Sequence, residues 1–224
     1  MKEEIISRLA RLRSEIPDGV ELLAVSKFKP VEDLRAAYSG GQRLFGESRV
    51  QELLEKIPLM PTDVRWHFIG HLQTNKVRQL IGKTALIESV DSERLLALID
   101  AESGKKGVRT DVLLQVHVAK EETKFGFSPE ELEDFFISGR YKQVSHIALR
   151  GLMAMASNTD DEGRVRADFA EASHIYRKIR ETLAPEIEGF DILSMGMSGD
   201  WPIAVEEGAT LIRVGSALFG ERNY

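Results

Sequence analysis

The sequence predicts an α/β protein that folds as one closed (β/α)8 barrel, with eight parallel strands, each followed by a helix, and an extra helix at the N-terminus. Three observations predict it. Short apolar runs of strand length alternate with helical segments eight times along 224 residues, a length that suits this barrel. No stretch of different character interrupts the alternation, so we expect residues 1–224 to form a single domain. An open doubly wound sheet usually has a glycine-rich loop after its first strand, whereas S-K-F-K-P follows here.

The elements follow from the hydrophobic pattern in chain order. Residues 2–16 place isoleucines and leucines on one face and predict an amphipathic helix. Residues 21–27 begin with an apolar run that has no helical period, which is typical of a buried parallel strand. The clearest later helices are predicted over residues 92–103 and 161–183. The other seven strands are predicted over residues 43–47, 64–70, 85–90, 111–118, 147–153, 192–196 and 210–214.

Composition excludes several classes of function. The net charge of -6 and the pI of about 5.5 give no electrostatic support for binding nucleic acid or an anionic membrane. No window is long and apolar enough for a membrane span, and the first residues lack the apolar core of a secretory signal. The absence of cysteine excludes disulfides and thiolate chemistry. We therefore expect a cytoplasmic protein.

Lys27 stands at the far end of the first predicted strand, and the C-terminal strand ends carry the function in barrels of this kind. A lysine that is partly removed from water there holds its charge less readily. The neutral amine is the form that attacks a carbonyl to form a Schiff base. On this stretch alone, a lysine that simply extends its amine into solvent is the plainer alternative.

The other strand ends hold no pattern of a metal site or of a paired-carboxylate site. His67 and His117 stand at strand ends, where a lone histidine is more often a hydrogen-bonded structural group than a ligand. We therefore predict no metal.

The loops after the last two strands contain small residues and lead into short helices. In S-M-G-M-S-G-D and R-V-G-S-A-L-F-G, Gly196, Gly199 and Gly215 let the main chain approach an anion, while Ser198 and Ser216 add hydroxyl donors. Either loop alone is equally well an ordinary tight connection. The two together, in the pair of loops where such barrels commonly hold a phosphate, favour a phosphate site.

Lys27, this phosphate site and Arg213 between them would suit an aldehyde that carries a phosphate, a description that pyridoxal phosphate (PLP) fits. The whole chain also resembles a known family, the PLP homeostasis proteins, which share a barrel with the N-terminal domain of alanine racemase. Seven motifs carry the resemblance in order along the chain: L-A-V-S-K-F-K-P, F-G-E-S-R-V-Q-E, W-H-F-I-G-H-L-Q-T-N-K, E-E-T-K-F-G-F, L-R-G-L-M-A-M, L-S-M-G-M-S-G-D and I-R-V-G-S-A-L-F-G.

The resemblance implies that Lys27 holds PLP as a Schiff base and that Arg213 faces the pyridine nitrogen. It implies further that Ser198, Gly215 and Ser216 bind the phosphate, with the Met197 region lining the cup. The family often has asparagine where Ser48 stands, so no contact is carried over to that side chain. In the polar loop after the fifth strand, Lys124 is either a solvated surface charge or a residue that captures the cofactor transiently during transfer to apo-enzymes.

The resemblance also implies a role in vitamin B6 homeostasis without an established reaction. A physical reason supports it, because an arginine offers only donors and favours an unprotonated pyridine, which is a weaker electron sink. A racemase needs a second base, and Tyr38, Tyr141 and Tyr176 lie away from the strand ends. The alternatives are a PLP-dependent enzyme, such as a weak amino-acid racemase, and a cofactor-free aldolase that uses Lys27. We expect PLP and apo PLP-dependent enzymes as partners, and a monomer.

Overall fold

The computed structural model of the chain describes residues 2–120 and 125–221. Eight strands form a closed barrel in sequential order, and every neighbouring pair is parallel. The barrel closes where Glu21–Val25 lies beside the eighth strand, with Leu23 paired to Arg213. The strands are β1 (Glu21–Val25), β2 (Leu44–Glu47), β3 (Arg65–Phe68), β4 (Leu86–Val90), β5 (Thr110–Val116), β6 (Ile147–Ala154), β7 (Ile192–Ser194) and β8 (Leu211–Val214). The predicted barrel is confirmed.

Helices surround the barrel, and the extra N-terminal helix packs against the helices that follow the first and last strands. They are α1 (Lys2–Glu15), α2 (Val31–Ser39), α3 (Val50–Lys56), α4 (Val77–Leu80), α5 (Glu93–Lys106), α6 (Pro129–Ile137), α7 (Glu162–Lys178), α8 (Trp201–Glu206) and α9 (Ser216–Phe219). Ser92 and Ser128 cap α5 and α6 through their hydroxyl groups. Within the described ranges, no helix has the length and apolar character that crossing a membrane requires.

Several element ends differ from the sequence prediction. β1, β3, β5 and β7 stop two residues earlier than predicted, because beyond these points the chain no longer pairs residue by residue with a neighbouring strand. The single helix predicted over residues 161–183 is α7 followed by a π-helical turn, Ile179–Leu183.

Alternate residues of β1 face two different apolar layers. Leu22 and Ala24 join the large cluster between the barrel and its helices. Leu23 points into the barrel, where it packs with Leu44 and Leu211. This burial on both faces explains why the run is continuously apolar.

A glycine allows β6 to approach β7. Gly151 has a φ of +145°, and a Cβ built on it would lie 1.7 Å from the carbonyl oxygen of Ile192. The ladder between β5 and β6 shifts register at the same level, between Val112 and Leu113. Only a residue without a side chain fits this place in the barrel wall.

Candidate functional site

A cavity of about 250 Å³ lies at the C-terminal ends of the strands. All six residues predicted to bind a cofactor line it, although they come from both ends of the sequence. The cavity is lined by Val25, Lys27, Ser48, Ile69, Met153, Met155, Met197, Ser198, Gly199, Arg213, Gly215 and Ser216. The fold therefore brings together the groups that the sequence analysis singled out, at the end of the barrel where it expected them.

Lys27 is half-buried and lies in a tight turn directly after β1. The turn is closed by a hydrogen bond from the Lys29 amide to the Ser26 carbonyl oxygen, 3.0 Å long. Val25, the last residue of β1, forms part of the cavity wall below it. Lys27 therefore lies at the mouth of the barrel, two residues after the last residue of β1.

The Ser198 hydroxyl joins the two loops that follow β7 and β8. Its Oγ accepts hydrogen bonds from the backbone amides of Gly215 (3.1 Å) and Ala217 (3.3 Å). With both amides donating to the oxygen, the Ser198 O–H remains a donor, and the Ser216 hydroxyl lines the same part of the cavity. This corner therefore presents hydroxyl donors on closely packed main chain.

Gly196 has a different role from the one that the sequence predicts. It does not line the cavity, and a Cβ built on it would lie 2.6 Å from the Cβ of Ala204 and 2.9 Å from the Cα of Trp201. Its φ of +91° also favours glycine. Gly196 is thus required for packing α8 onto the barrel and not for the approach of an anion, whereas Gly199 and Gly215 do line the cavity.

Arg213 lies in β8, two residues before Gly215, and is only 4% exposed. One guanidinium nitrogen donates to Ser194 Oγ (2.7 Å) and the other to the Ala154 carbonyl oxygen (2.8 Å). Ser194 in turn donates to a carboxylate oxygen of Glu88 (2.6 Å). These bonds hold the guanidinium against the cavity in a fixed orientation.

The buried chain of polar groups continues across the barrel. His67 Nδ1 donates to the other oxygen of Glu88 at 2.6 Å, and Glu88 lies 4.0 Å from Arg213. Burial alone would raise the pKa of Glu88, but the hydrogen bond and charge of His67 and the charge of Arg213 hold it below its ordinary value. Burial lowers the pKa of Arg213, and the charge of Glu88 offsets part of this effect. The network thus keeps a charged guanidinium inside the barrel.

Glu88 is a site residue that sequence reasoning missed, and Ser194 is one to which it gave no role, although one signal could have found Glu88. Glu88 is a carboxylate in the middle of the apolar strand A-L-I-E-S-V, and a buried carboxylate requires a partner. His67, predicted to be a hydrogen-bonded structural group, is such a partner, because its ring nitrogen bonds to Glu88. Val25, Ile69, Met153 and Met155 were also not singled out as wall residues, and they form apolar walls for the cavity.

Among the described residues, His117 and the three candidate tyrosines do not line the cavity. His117 lies outside it, and Lys124 falls outside the described residues. Tyr38, Tyr141 and Tyr176 bond to Asp63, to Glu186 and to the Phe190 carbonyl, away from the cavity. Residues 2–120 and 125–221 contain no group of three or more acidic or histidine side chains that could hold a metal ion.

Comparisons with known proteins agree with this geometry. The family described as the alanine racemase N-terminal domain matches residues 2–223. A "Pyridoxal phosphate homeostasis protein" of Aquifex aeolicus is 42% identical over 207 residues, which cover 91% of this chain and 88% of the relative.

Solved structures with the same barrel include members of the same family. PipY of Synechococcus elongatus, 40% identical, matches over 96% of this chain and 100% of its own, with TM-scores of 0.91 without PLP and 0.87 with PLP bound. An alanine racemase of Clostridium difficile, 15% identical with a TM-score of 0.77, covers 99% of this chain and 57% of its own, and shares the fold. This chain belongs to the alanine racemase N-terminal domain family and, within it, to the pyridoxal phosphate homeostasis proteins.

Proposed function

We propose that the protein binds PLP in the cavity at the strand ends, holds it as a Schiff base on Lys27, and serves PLP homeostasis without a reaction of its own. The observation that carries this proposal is the single cavity lined by Lys27, the Ser198 and Ser216 hydroxyls and the Arg213 guanidinium. The relatives named as homeostasis proteins and the PLP-bound PipY support the same ligand.

The donor set fits a phosphate at one corner of the cavity. Ser198, Gly215 and Ser216 offer hydroxyl groups and closely approaching main chain, which suit phosphate oxygens. Met197, which is 42% exposed, is held by a hydrogen bond from its amide to Asp200 and borders this corner. Replacing the phosphate-facing hydroxyls should therefore weaken binding without changing the barrel.

The rest of the lining fits an aromatic ring. Ile69, Met153 and Met155 provide apolar and polarisable surfaces against which a flat ring packs well. Lys27 would hold the aldehyde end of a bound PLP, which would supply the electrophilic carbonyl carbon for its amine, with water as the leaving product. Arg213 offers only donors to the ring nitrogen and so favours its unprotonated form.

A carrier function follows from what surrounds Lys27. An unprotonated ring withdraws electrons weakly, so Arg213 limits carbanion chemistry. Among the residues that the structure describes, no tyrosine lines the cavity to act as a second base. We propose further that apo PLP-dependent enzymes receive the cofactor, and that the protein acts as a cytoplasmic monomer.

The test of the cofactor site is the visible spectrum of the purified protein with added PLP, before and after borohydride, for wild type and Lys27→Ala. We expect a Schiff-base band that is lost in the variant, and reduced cofactor on the peptide that contains Lys27. Lys178→Ala is the matched control, because that lysine pairs with Glu133 on the helical shell. A wild type without the band would overturn the cofactor proposal and leave the aldolase alternative.

The test of the carrier function is proton exchange at the α-carbon of amino acids in deuterated water. We expect exchange no faster than that of free PLP at the same concentration. Rapid exchange with one amino acid, lost in Lys27→Ala, would instead establish an enzyme.

A further inference from the structure

We propose that Glu52 and Lys56 of α3 clamp the main chain on both sides of Lys27 and so position its amine for Schiff-base formation. The two residues do not line the cavity, and their role is to position Lys27. The inference rests on the proposed function, because it takes Lys27 as the residue that reacts.

Lys56 holds the peptide group that precedes Lys27. Its side chain is 7% exposed, and its Nζ donates to the Ser26 carbonyl oxygen at 2.8 Å. The same ammonium donates to Glu47 (2.8 Å) and to Glu52 (2.7 Å). Three acceptors match the three N–H donors of a lysine, so this buried ammonium is fully satisfied and fixed in place.

Glu52 holds the peptide group that follows Lys27. The Glu52 oxygen that bonds Lys56 also accepts the backbone N–H of Phe28 at 2.6 Å. The ion pair between Lys56 and Glu52 therefore bonds both to the Ser26 carbonyl, just before Lys27, and to the Phe28 amide, just after it. The Cα of Lys27 lies between two anchored points, so the direction of its side chain is set by α3 as well as by β1.

The backbone at the next residue shows that this grip works against a local preference. Phe28 has a φ of +64°, and within the described ranges no other residue except glycine has a positive φ. A left-handed conformation at such a residue is strained and persists only where the surroundings impose it. The bond from Phe28 to Glu52 is one such constraint, and the Arg49 guanidinium, 4.5 Å from the ring centre of Phe28, is another.

The other end of the turn is tied to the proposed phosphate corner. Lys29 Nζ donates to the carbonyl oxygens of Phe219 (3.2 Å) and Gly220 (3.0 Å), at the end of the helix that begins with Ser216. The turn that carries Lys27 is thus connected to α3 on one side and to α9 on the other. This arrangement fixes the reacting amine relative to the place where the phosphate would bind.

The experiment measures the rate of Schiff-base formation at saturating PLP, by absorbance, alongside total PLP bound, by equilibrium dialysis. For Glu52→Ala we expect total binding to stay close to wild type, because the phosphate corner is intact. The rate should fall by about tenfold or more, since a misplacement of about 1 Å can cost up to about 100-fold. Glu52→Gln keeps an oxygen for the Phe28 amide and should recover most of the rate.

A second variant tests the Lys56 half of the clamp without leaving the fully buried Glu47 charge unpaired. Lys56→Met combined with Glu47→Gln removes both charges, and the glutamine oxygen can still accept from Ser26. We expect the same slowing. Lys178→Met, which breaks an ion pair between α6 and α7, is the control and should react at the wild-type rate.

The outcomes separate this inference from the proposed function. If wild type forms no Schiff base, the proposed function fails. If wild type reacts at Lys27 and either clamp variant is folded and reacts at the wild-type rate, the clamp is overturned and the proposed function stands. A loss of stability that leaves the rate unchanged would assign Glu52 and Lys56 to the fold alone.

Discussion

The buried carboxylate of Glu88 should carry much of the stability of the barrel interior, and Glu88→Gln tests this. The substitution keeps the size of the side chain and removes its charge. Arg213 is then left buried without the one carboxylate that lies within 4.0 Å of it in the described part of the chain. The variant also replaces an acceptor of two hydrogen bonds, from His67 and Ser194, by an amide that can accept only one of them.

The size of the effect follows from these contacts. Removing one partner of a buried ion pair costs about 3–5 kcal/mol, because the other charge remains desolvated. At about 2–4 °C per kcal/mol for a chain of this length, Tm should fall by roughly 6–20 °C. Urea unfolding followed by circular dichroism measures the free energy directly. Glu133→Gln, which breaks a more exposed pair with Lys178, should cost no more than about 1 kcal/mol.

The pH dependence provides an independent check. The pKa of Glu88 is lower in the folded protein than its ordinary value of 4.5, so the carboxylate stabilises the fold above that pH. This contribution is lost as pH falls through the lowered pKa. The stability difference between wild type and Glu88→Gln should therefore shrink in acid. A difference below about 1 kcal/mol at neutral pH, similar to that of an exposed pair, would refute the reasoning.

Three further substitutions test other parts of the structure. Burial raises the pKa of the Glu47 carboxyl above 4.5. The stability of wild type relative to Glu47→Gln should therefore fall as pH rises through that raised pKa, which is the opposite of the trend expected for Glu88. Urea unfolding that gives the same pH trend for both substitutions would contradict this. Gly151→Ala should cost more than about 4 kcal/mol, since the new Cβ would overlap the Ile192 carbonyl, and a thermal melt close to wild type would contradict the tight approach. Ser198→Ala should weaken PLP binding by about 1.5–3 kcal/mol, roughly 10- to 150-fold in Kd, measured by titration, and an unchanged Kd would remove Ser198 from the phosphate corner.

The order of elements could be predicted from the sequence because most strand residues are buried on both faces, so several strands, such as β1 and β5, read as largely apolar runs. The alternation of such runs with helical segments fixes the barrel. The ends of β1, β3, β5 and β7 could not be placed, because residues beyond the last paired position, such as Ser26 and Met195, are still buried. Hydrophobicity reports burial, whereas a strand end is set by where hydrogen bonding stops.

The cavity residues could be predicted because they follow directly after strands, and parallel strands bring their ends to one face. The supporting contacts could not. Lys56 is the last residue of α3, a helix end where a lysine is normally solvated, and nothing in the sequence brings it to the Ser26 carbonyl. Ser194 and Glu88 meet from strands 106 positions apart, a pairing that only the closed barrel produces.

The pairing of β1 with β8 has a consequence for the chain while the ribosome is still synthesising it. Lys27 leaves the ribosome long before Ser216, which is 189 positions later in the sequence. At about 5–20 residues per second, the delay is roughly 10–40 s. During that time β1 has an unpaired edge and the cavity lacks its final wall. Cofactor capture by this geometry must therefore wait for the last strand, so a loaded molecule is one whose folding has finished.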